Sequence, residues 1–148
     1  MIRDIVGFVF GIPGTAEERE TALRNIVGDL NPREAAERLR GAAQHNTEKA
    51  GALLAAQGIF TVADTFALDH GWPQLPILAS LGCLIAGSFL AMSILRSTMR
   101  MYRHRPDHRD PVRLIFDMLM SRMVRFNSAL YLTFFSILLL GIAALSFV

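Results

Sequence analysis

The sequence has one cysteine, one lysine and no familiar catalytic motif. With Cys83 alone, the chain has no internal disulfide framework and no thiolate cluster for a metal. It contains no Gly-x-Ser-x-Gly, no phosphate-loop glycine run, no His-Glu-x-x-His and no Cys-x-x-Cys. Pro106 lies between His104 and His108, so the two imidazoles cannot share a regular helical face toward one metal ion. These absences argue against an enzyme, a metal site and a bound cofactor.

Long, mostly apolar stretches dominate what is present. Of 148 residues, 52% are hydrophobic, and the mean hydropathy is +0.36, which is unusual for a soluble domain. At about 1.5 Å of rise per helical residue, residues 50–68, 76–95 and 128–148 are each long enough to cross or nearly cross a bilayer core of about 30 Å. The sequence therefore predicts an all-α membrane protein with three transmembrane helices.

Charge on the flanks of the spans predicts their orientation. The turn at residues 69–75 has no Lys or Arg and carries Trp72, whereas residues 96–127 carry eight arginines and three aspartates. Cytoplasmic loops are enriched in basic residues, so we expect the N-terminus inside and the C-terminus outside. The chain is predicted to consist of a cytosolic helical region, residues 1–47, and a transmembrane region, residues 48–148. Within the transmembrane region, residues 96–127 are predicted to form a basic helical hairpin in the cytosol.

Two capping patterns precede the first span. The first predicts a helix over residues 16–30. The second predicts a helix that meets no proline until Pro73 and so continues from the cytosol into the membrane. Residues 1–14 fit a short interfacial helix, a buried plug or a strand. The capping residues are Thr15 and Glu18, then Asn31, Pro32 and Glu34.

Four polar side chains of the first span share one helical face. A carboxylate within a span costs about 2.5–3.5 kcal/mol on insertion scales and usually faces a bundle interior or a water-filled cavity. The stripe therefore either lines a pore or bonds to neighbouring helices. Three spans cannot enclose a channel, so a pore requires a homo-oligomer. The candidate pore-lining residues are Gln57, Thr61, Asp64 and Thr65.

Small residues recur every four positions in the second span and predict close helix packing. The first span contains a similar set of small residues. The two sets are Ala79, Cys83, Gly87 and Ala91, and Gly51, Ala55 and Gly58.

The arginines of the basic hairpin have two possible roles. Juxtamembrane arginines set topology and contact anionic lipid head groups, at about 1 kcal/mol each. A guanidinium group also binds two phosphate oxygens at once. The chain has fourteen arginines and one lysine, which suits a phosphorylated ligand, but a GC-rich genome would produce the same bias. The candidate ligand-binding residues are Arg100, Arg103, Arg105, Arg109 and Arg113.

The start of the first span carries a resemblance to a known family. The segment Glu48-Lys49-Ala50-Gly51-Ala52-Leu53-Leu54 follows a predicted cytosolic helix and precedes a short outer turn, a second span, a basic hairpin and a last span. In this order of elements, residues 40–148 resemble the transmembrane effectors of bacterial anti-phage signalling systems, notably the Pycsar effector family. Glu48 and Lys49 are the charged residues of the shared motif.

The resemblance implies a dormant multi-pass protein of the bacterial inner membrane, a homo-oligomer such as a tetramer, that impairs this membrane when a nucleotide signal changes. Similar effectors of guard systems such as Hailong are thought to be held closed by a single-stranded DNA oligomer. The implied partner is thus a cyclic nucleotide or a single-stranded DNA oligomer, made by a nucleotidyl cyclase or a nucleotidyltransferase. The alternative hypothesis is a structural or accessory subunit of a membrane complex, whose polar stripe binds a partner helix.

Overall fold

The computed structural model describes residues 15–100 and 111–147, which are mostly helical, with no strand among them. Three of the four helices in these ranges are long and apolar enough to cross a membrane. Each predicted span lies inside one of these three helices. The exception is residue 148, the last of the third predicted span, which is outside the described residues. The prediction of an all-helical protein with three membrane spans is confirmed to this extent. The helices are α1 (Ala16–Val27), α2 (Pro32–Asp69), α3 (Gln74–Arg100) and α4 (Pro111–Phe147).

Both predicted capping patterns start a helix. Thr15 Oγ1 accepts a hydrogen bond from the Glu18 N–H at 3.1 Å, and Glu18 Oε2 accepts one from the Thr15 N–H at 3.1 Å. Asn31 Oδ1 accepts from the Glu34 N–H at 2.9 Å, and Pro32 is the first residue of α2. These side chains satisfy amide groups that have no partner within the first turn of a helix. α2 then continues without a break for 38 residues.

Glycines with positive φ follow the ends of α1 and α2. Gly28 has φ of +54° and donates its N–H to the Arg24 carbonyl at 2.6 Å, so α1 ends three residues before the predicted limit of residue 30. Gly71 has φ of +78° and lies in the short connection, residues 70–73, that reverses the chain between α2 and α3. Glycine suits both positions because other residues rarely adopt a positive φ.

α1 packs onto the parts of α2 and α4 that extend beyond the predicted spans. The apolar residues that meet there form one cluster, which we call the α1 cluster. Partly buried α1 residues, among them Leu23 and Ile26, pack against it. Apolar residues at the start of α4 thus pack against apolar residues near the start of α2. The buried members of the cluster are Ala35, Leu39 and Ala43 of α2 and Val112, Phe116, Leu119 and Met120 of α4.

Several predictions fall outside the described residues. These are the structure of residues 1–14, the tip of the basic hairpin and the geometry of the two histidines near it. The side chain of Arg100, at the end of α3, also lies outside them. The residues concerned at the hairpin tip are Arg103, His104, Arg105, His108 and Arg109.

Candidate functional site

The polar stripe of α2 divides between the interior of the bundle and its surface. Gln57 and Asp64 are only 1% and 0% exposed, whereas Thr65 is exposed and Thr61 is partly buried. Thr61 donates its hydroxyl hydrogen to the Gln57 carbonyl at 2.8 Å, and Thr65 donates to the Thr61 carbonyl at 2.8 Å. These two threonines therefore bond along their own helix, while Gln57 bonds to α3 and α4 and Asp64 bonds to α3.

Gln57 connects all three long helices at one level. Its Nε2 donates to Thr133 Oγ1 of α4 at 2.9 Å, and its Oε1 accepts from Ser88 Oγ of α3 at 3.0 Å. Thr133 in turn donates to the Ala129 carbonyl of its own helix at 2.9 Å. Gly87 leaves the space that the amide of Gln57 occupies, because a Cβ at residue 87 would lie 2.6 Å from Nε2. We call Gln57, Ser88 and Thr133 the glutamine layer.

Asp64 begins a second polar contact between the long helices, which reaches α4 through Ser80 of α3. Ser80 Oγ of α3 lies 2.6 Å from Asp64 Oδ2 and 2.8 Å from Ser136 Oγ of α4. Ser80 Oγ also lies 3.3 Å from the Ser136 carbonyl oxygen. Each of the three residues is at most 1% exposed, and Asp64 Oδ1 is buried without a hydrogen-bond partner. We call Asp64, Ser80 and Ser136 the aspartate layer.

Apolar side chains separate the two layers and enclose them. Gln57 and Asp64 are seven residues apart on α2, which corresponds to about 10 Å along the helix. Leu84 of α3, between Ser80 and Ser88 in the chain, is 1% exposed. Beyond the glutamine layer lies a cluster of Leu53, Ala91 and Ala129, and beyond the aspartate layer one of Ala67, Ile77 and Ala143. The two layers thus form two polar sites within an otherwise apolar bundle.

The described members of the predicted ligand site and motif lie at the surface. Arg113 forms an ion pair with Glu20 of α1. Both side chains are largely exposed, so the pair contributes little to stability. Glu48 and Lys49 are exposed, and Glu48 accepts a hydrogen bond from Gln44 Nε2 at 3.3 Å.

A cleft of about 390 Å³ lies between α1 and α4, at the same end of the bundle as the predicted hairpin. Arg19 and Arg125 contribute its basic side chains, and Asp117 contributes an acidic one. Arg125 also donates to Ser121 Oγ at 3.1 Å. Sequence analysis did not identify this cleft, in which the basic side chains outnumber the acidic one.

Sequence analysis also missed the hydroxyl partners of the two layers. Each is a single small polar residue in an apolar span, and such a hydroxyl can bond to its own helix without any partner. A spacing signal was available, because Ser80 and Ser88 are eight residues apart and Gln57 and Asp64 are seven apart. Both spacings are about two helical turns, so antiparallel helices can match the residues in pairs. The missed partners are Ser80, Ser88, Thr133 and Ser136.

No protein-family model, curated protein sequence or solved structure matches the chain. The resemblance of residues 40–148 to anti-phage effectors therefore stays a prediction from the sequence.

Proposed function

We propose that the chain is a membrane effector of bacterial anti-phage defence. In this proposal it assembles as a homo-oligomer in the inner membrane, where it conducts ions or disrupts the membrane under the control of a nucleotide or oligonucleotide ligand. The observation that carries the proposal is the pair of polar layers buried within helices of membrane-spanning length. The resemblance around Glu48 and Lys49 supports the assignment to defence.

The polar layers support a role beyond packing. A carboxylate or an amide inside a span costs free energy that an apolar side chain of similar size would not, and ionisable groups in spans are commonly functional. In this structure Leu84 lies between the two layers and an apolar cluster lies beyond each of them, which fits a closed state. A rearrangement of α2 that admits water would join Gln57, Thr61, Asp64 and Thr65 into one polar path.

A structural or accessory role is the second candidate, and one observation favours it. Gln57 bonds to both α3 and α4 of the same chain, and Asp64 bonds to Ser80 of α3, which in turn contacts Ser136 of α4. Interhelical hydrogen bonds of this kind stabilise membrane bundles by about 0.6 kcal/mol on average. On this account the layers fix the register of three helices, and no ions pass.

The proposed topology places the N-terminus and the basic hairpin in the cytosol and the C-terminus outside. A polyanionic ligand would then meet the arginines at the cytosolic end of the bundle. We propose a cyclic nucleotide or a single-stranded DNA oligomer, made by a partner nucleotidyl cyclase or nucleotidyltransferase. The proposed contacts are Arg100, Arg103, Arg105, Arg109 and Arg113, and the cleft near Arg19 and Arg125 offers further basic contacts.

Cation release from liposomes tests the proposed function. Protein purified with its ligand is reconstituted, and a second sample is first washed at high salt, which weakens phosphate contacts. We expect cation release that differs between the two samples, and a smaller release from Gln57→Leu, which removes a polar group from the path. If neither sample releases cations although both are inserted and assembled, the accessory role is the better account.

A further inference from the structure

We propose that Asp64 is a proton-binding site and that it is a neutral carboxylic acid in the closed bundle. Asp64 would bind this proton whether or not the protein conducts ions. Asp64 is 0% exposed between α2, α3 and α4, and its Oδ1 lacks a hydrogen-bond partner. A carboxylate at this position would leave a charged oxygen without a donor in an apolar interior, which is costly.

Among the residues that the structure describes, no cationic side chain lies beside Asp64 to compensate a negative charge. The sequence has no Lys, Arg or His within residues 50–69, 74–95 or 126–148, which include the parts of all three helices around the aspartate layer. The titratable residues nearest along the chain are Asp69 and His70 at the end of α2, Cys83 in α3 and Tyr131 in α4. None of these types supplies a fixed positive charge, and His70 is exposed at the end of α2.

The hydrogen bonds of the aspartate layer are compatible with the neutral acid. Each serine hydroxyl has one hydrogen to donate. If Asp64 is protonated on Oδ2, it donates to Ser80 Oγ across the 2.6 Å contact, and Ser80 donates to Ser136 Oγ at 2.8 Å. Oδ1 is then the carbonyl oxygen of an uncharged acid, so its lack of a donor costs less than it would for a carboxylate.

The spacing of the oxygen atoms favours a proton over a metal cation. The oxygens of Asp64, Ser80 and Ser136 contact one another directly at 2.6 and 2.8 Å, as in a chain of hydrogen bonds. A hard cation such as Ca²⁺ instead takes six to eight oxygens around itself. The aspartate layer provides a carboxyl, two hydroxyls and one backbone carbonyl, and their geometry is that of a proton-bearing network.

Proton binding has a consequence for opening, which rests on the proposed function. Water that reached Asp64 would stabilise the carboxylate, so opening would release the proton. By linkage, a higher pH would then favour the open state, because the open state binds fewer protons. The carboxylate formed in this way would face a wet path and attract cations.

Infrared spectroscopy tests the proton directly on the purified full chain in lipid at neutral pH. A neutral carboxylic acid has a carbonyl band that is distinct from the bands of a carboxylate. We expect this band in the parent protein, its loss in Asp64→Asn and its persistence in Asp69→Asn, which changes the exposed carboxyl five residues away. In Ser80→Ala the band should shift, because the acid loses its hydrogen-bond partner. A parent protein without the band at neutral pH would overturn the proposal.

Carbodiimide labelling gives a second test that needs no variant to fold. A protonated carboxyl adds through oxygen to the central carbon of dicyclohexylcarbodiimide while its proton passes to nitrogen, and rearrangement leaves a stable N-acylurea. We expect this adduct at Asp64, identified by mass spectrometry, with a yield that falls as the pH rises. Protection by Na⁺ at constant pH would show a cation in the site and would contradict the proposal. This outcome is independent of any ion current, so it can fail while the proposed function stands.

Discussion

Gly87 of α3 lies directly against the side-chain amide of Gln57 on α2. A Cβ at residue 87 would lie 2.6 Å from Gln57 Nε2 and 3.4 Å from the Ala129 carbonyl oxygen. Such a contact is too short, so the amide would have to move away from Thr133 or the helices would have to separate. The glutamine layer therefore depends on a position that has no side chain.

Gly87→Ala should destabilise the bundle because the added methyl overpacks the glutamine layer. Overpacking costs about 1–3 kcal/mol, and the melting temperature in detergent, followed by circular dichroism, should fall accordingly. Gly82→Ala is the matched control on the same helix, since a Cβ there meets nothing within 4 Å. Equal melting temperatures for the two variants would show that Gln57 adapts without cost.

The helices themselves could be predicted from the sequence because their signals are local. The caps at Thr15 and Asn31 depend on residues three positions away, and the spans depend on length and composition. The shared face of Gln57 and Asp64 also follows from helical periodicity.

The partners across the bundle could not be predicted in the same way. Which face of α3 meets Gln57 depends on how three apolar helices rotate against one another, and periodicity within one helix does not contain that information. Gly87 illustrates the limit. The four-residue series of small residues predicted close packing, yet Gly87 and Ala91 are buried while Ala79 is exposed.

Cysteine labelling tests the proposed topology. Cys83 is replaced by Ser, and single cysteines are introduced at Trp72 and at Arg105. An impermeant reagent added from the periplasm should label residue 72 and should reach residue 105 only after the cells are opened. This result follows from the eight arginines of residues 96–127, since basic loops stay in the cytoplasm. Periplasmic labelling of residue 105 in intact cells would reverse the orientation.

Ligand binding should depend on salt and on the arginines of the hairpin. With a single-stranded DNA oligomer as the probe, affinity should fall as salt rises, with a logarithmic slope of about −0.7 for each phosphate contact. Arg103→Ala, Arg105→Ala and Arg109→Ala should each weaken binding and reduce that slope.

Arg33→Ala is the control for these three variants. The Arg33 side chain is 90% exposed and pairs with Glu37 on its own helix at 3.4 Å, so its loss should leave affinity close to that of the parent. If all three hairpin variants bind as the parent does, the ligand site lies elsewhere. The cleft with Arg19 and Arg125 is then the next surface to change.

The cation preference of Asp64→Asn in planar bilayers tests the central claim most directly. Asn keeps the volume of Asp64 and removes its acidity, so an open path lined by this residue should lose cation conductance and cation preference while the oligomer still assembles. Asp117→Asn, which changes an exposed carboxyl of α4 beyond the predicted span, should behave as the parent does. An accessory role predicts that Asp64→Asn is neutral or stabilising, because a costly acidic group leaves the membrane. Reduced cation conductance and preference in an assembled Asp64→Asn oligomer is the result that we predict, and an unchanged cation preference in that oligomer would contradict the account.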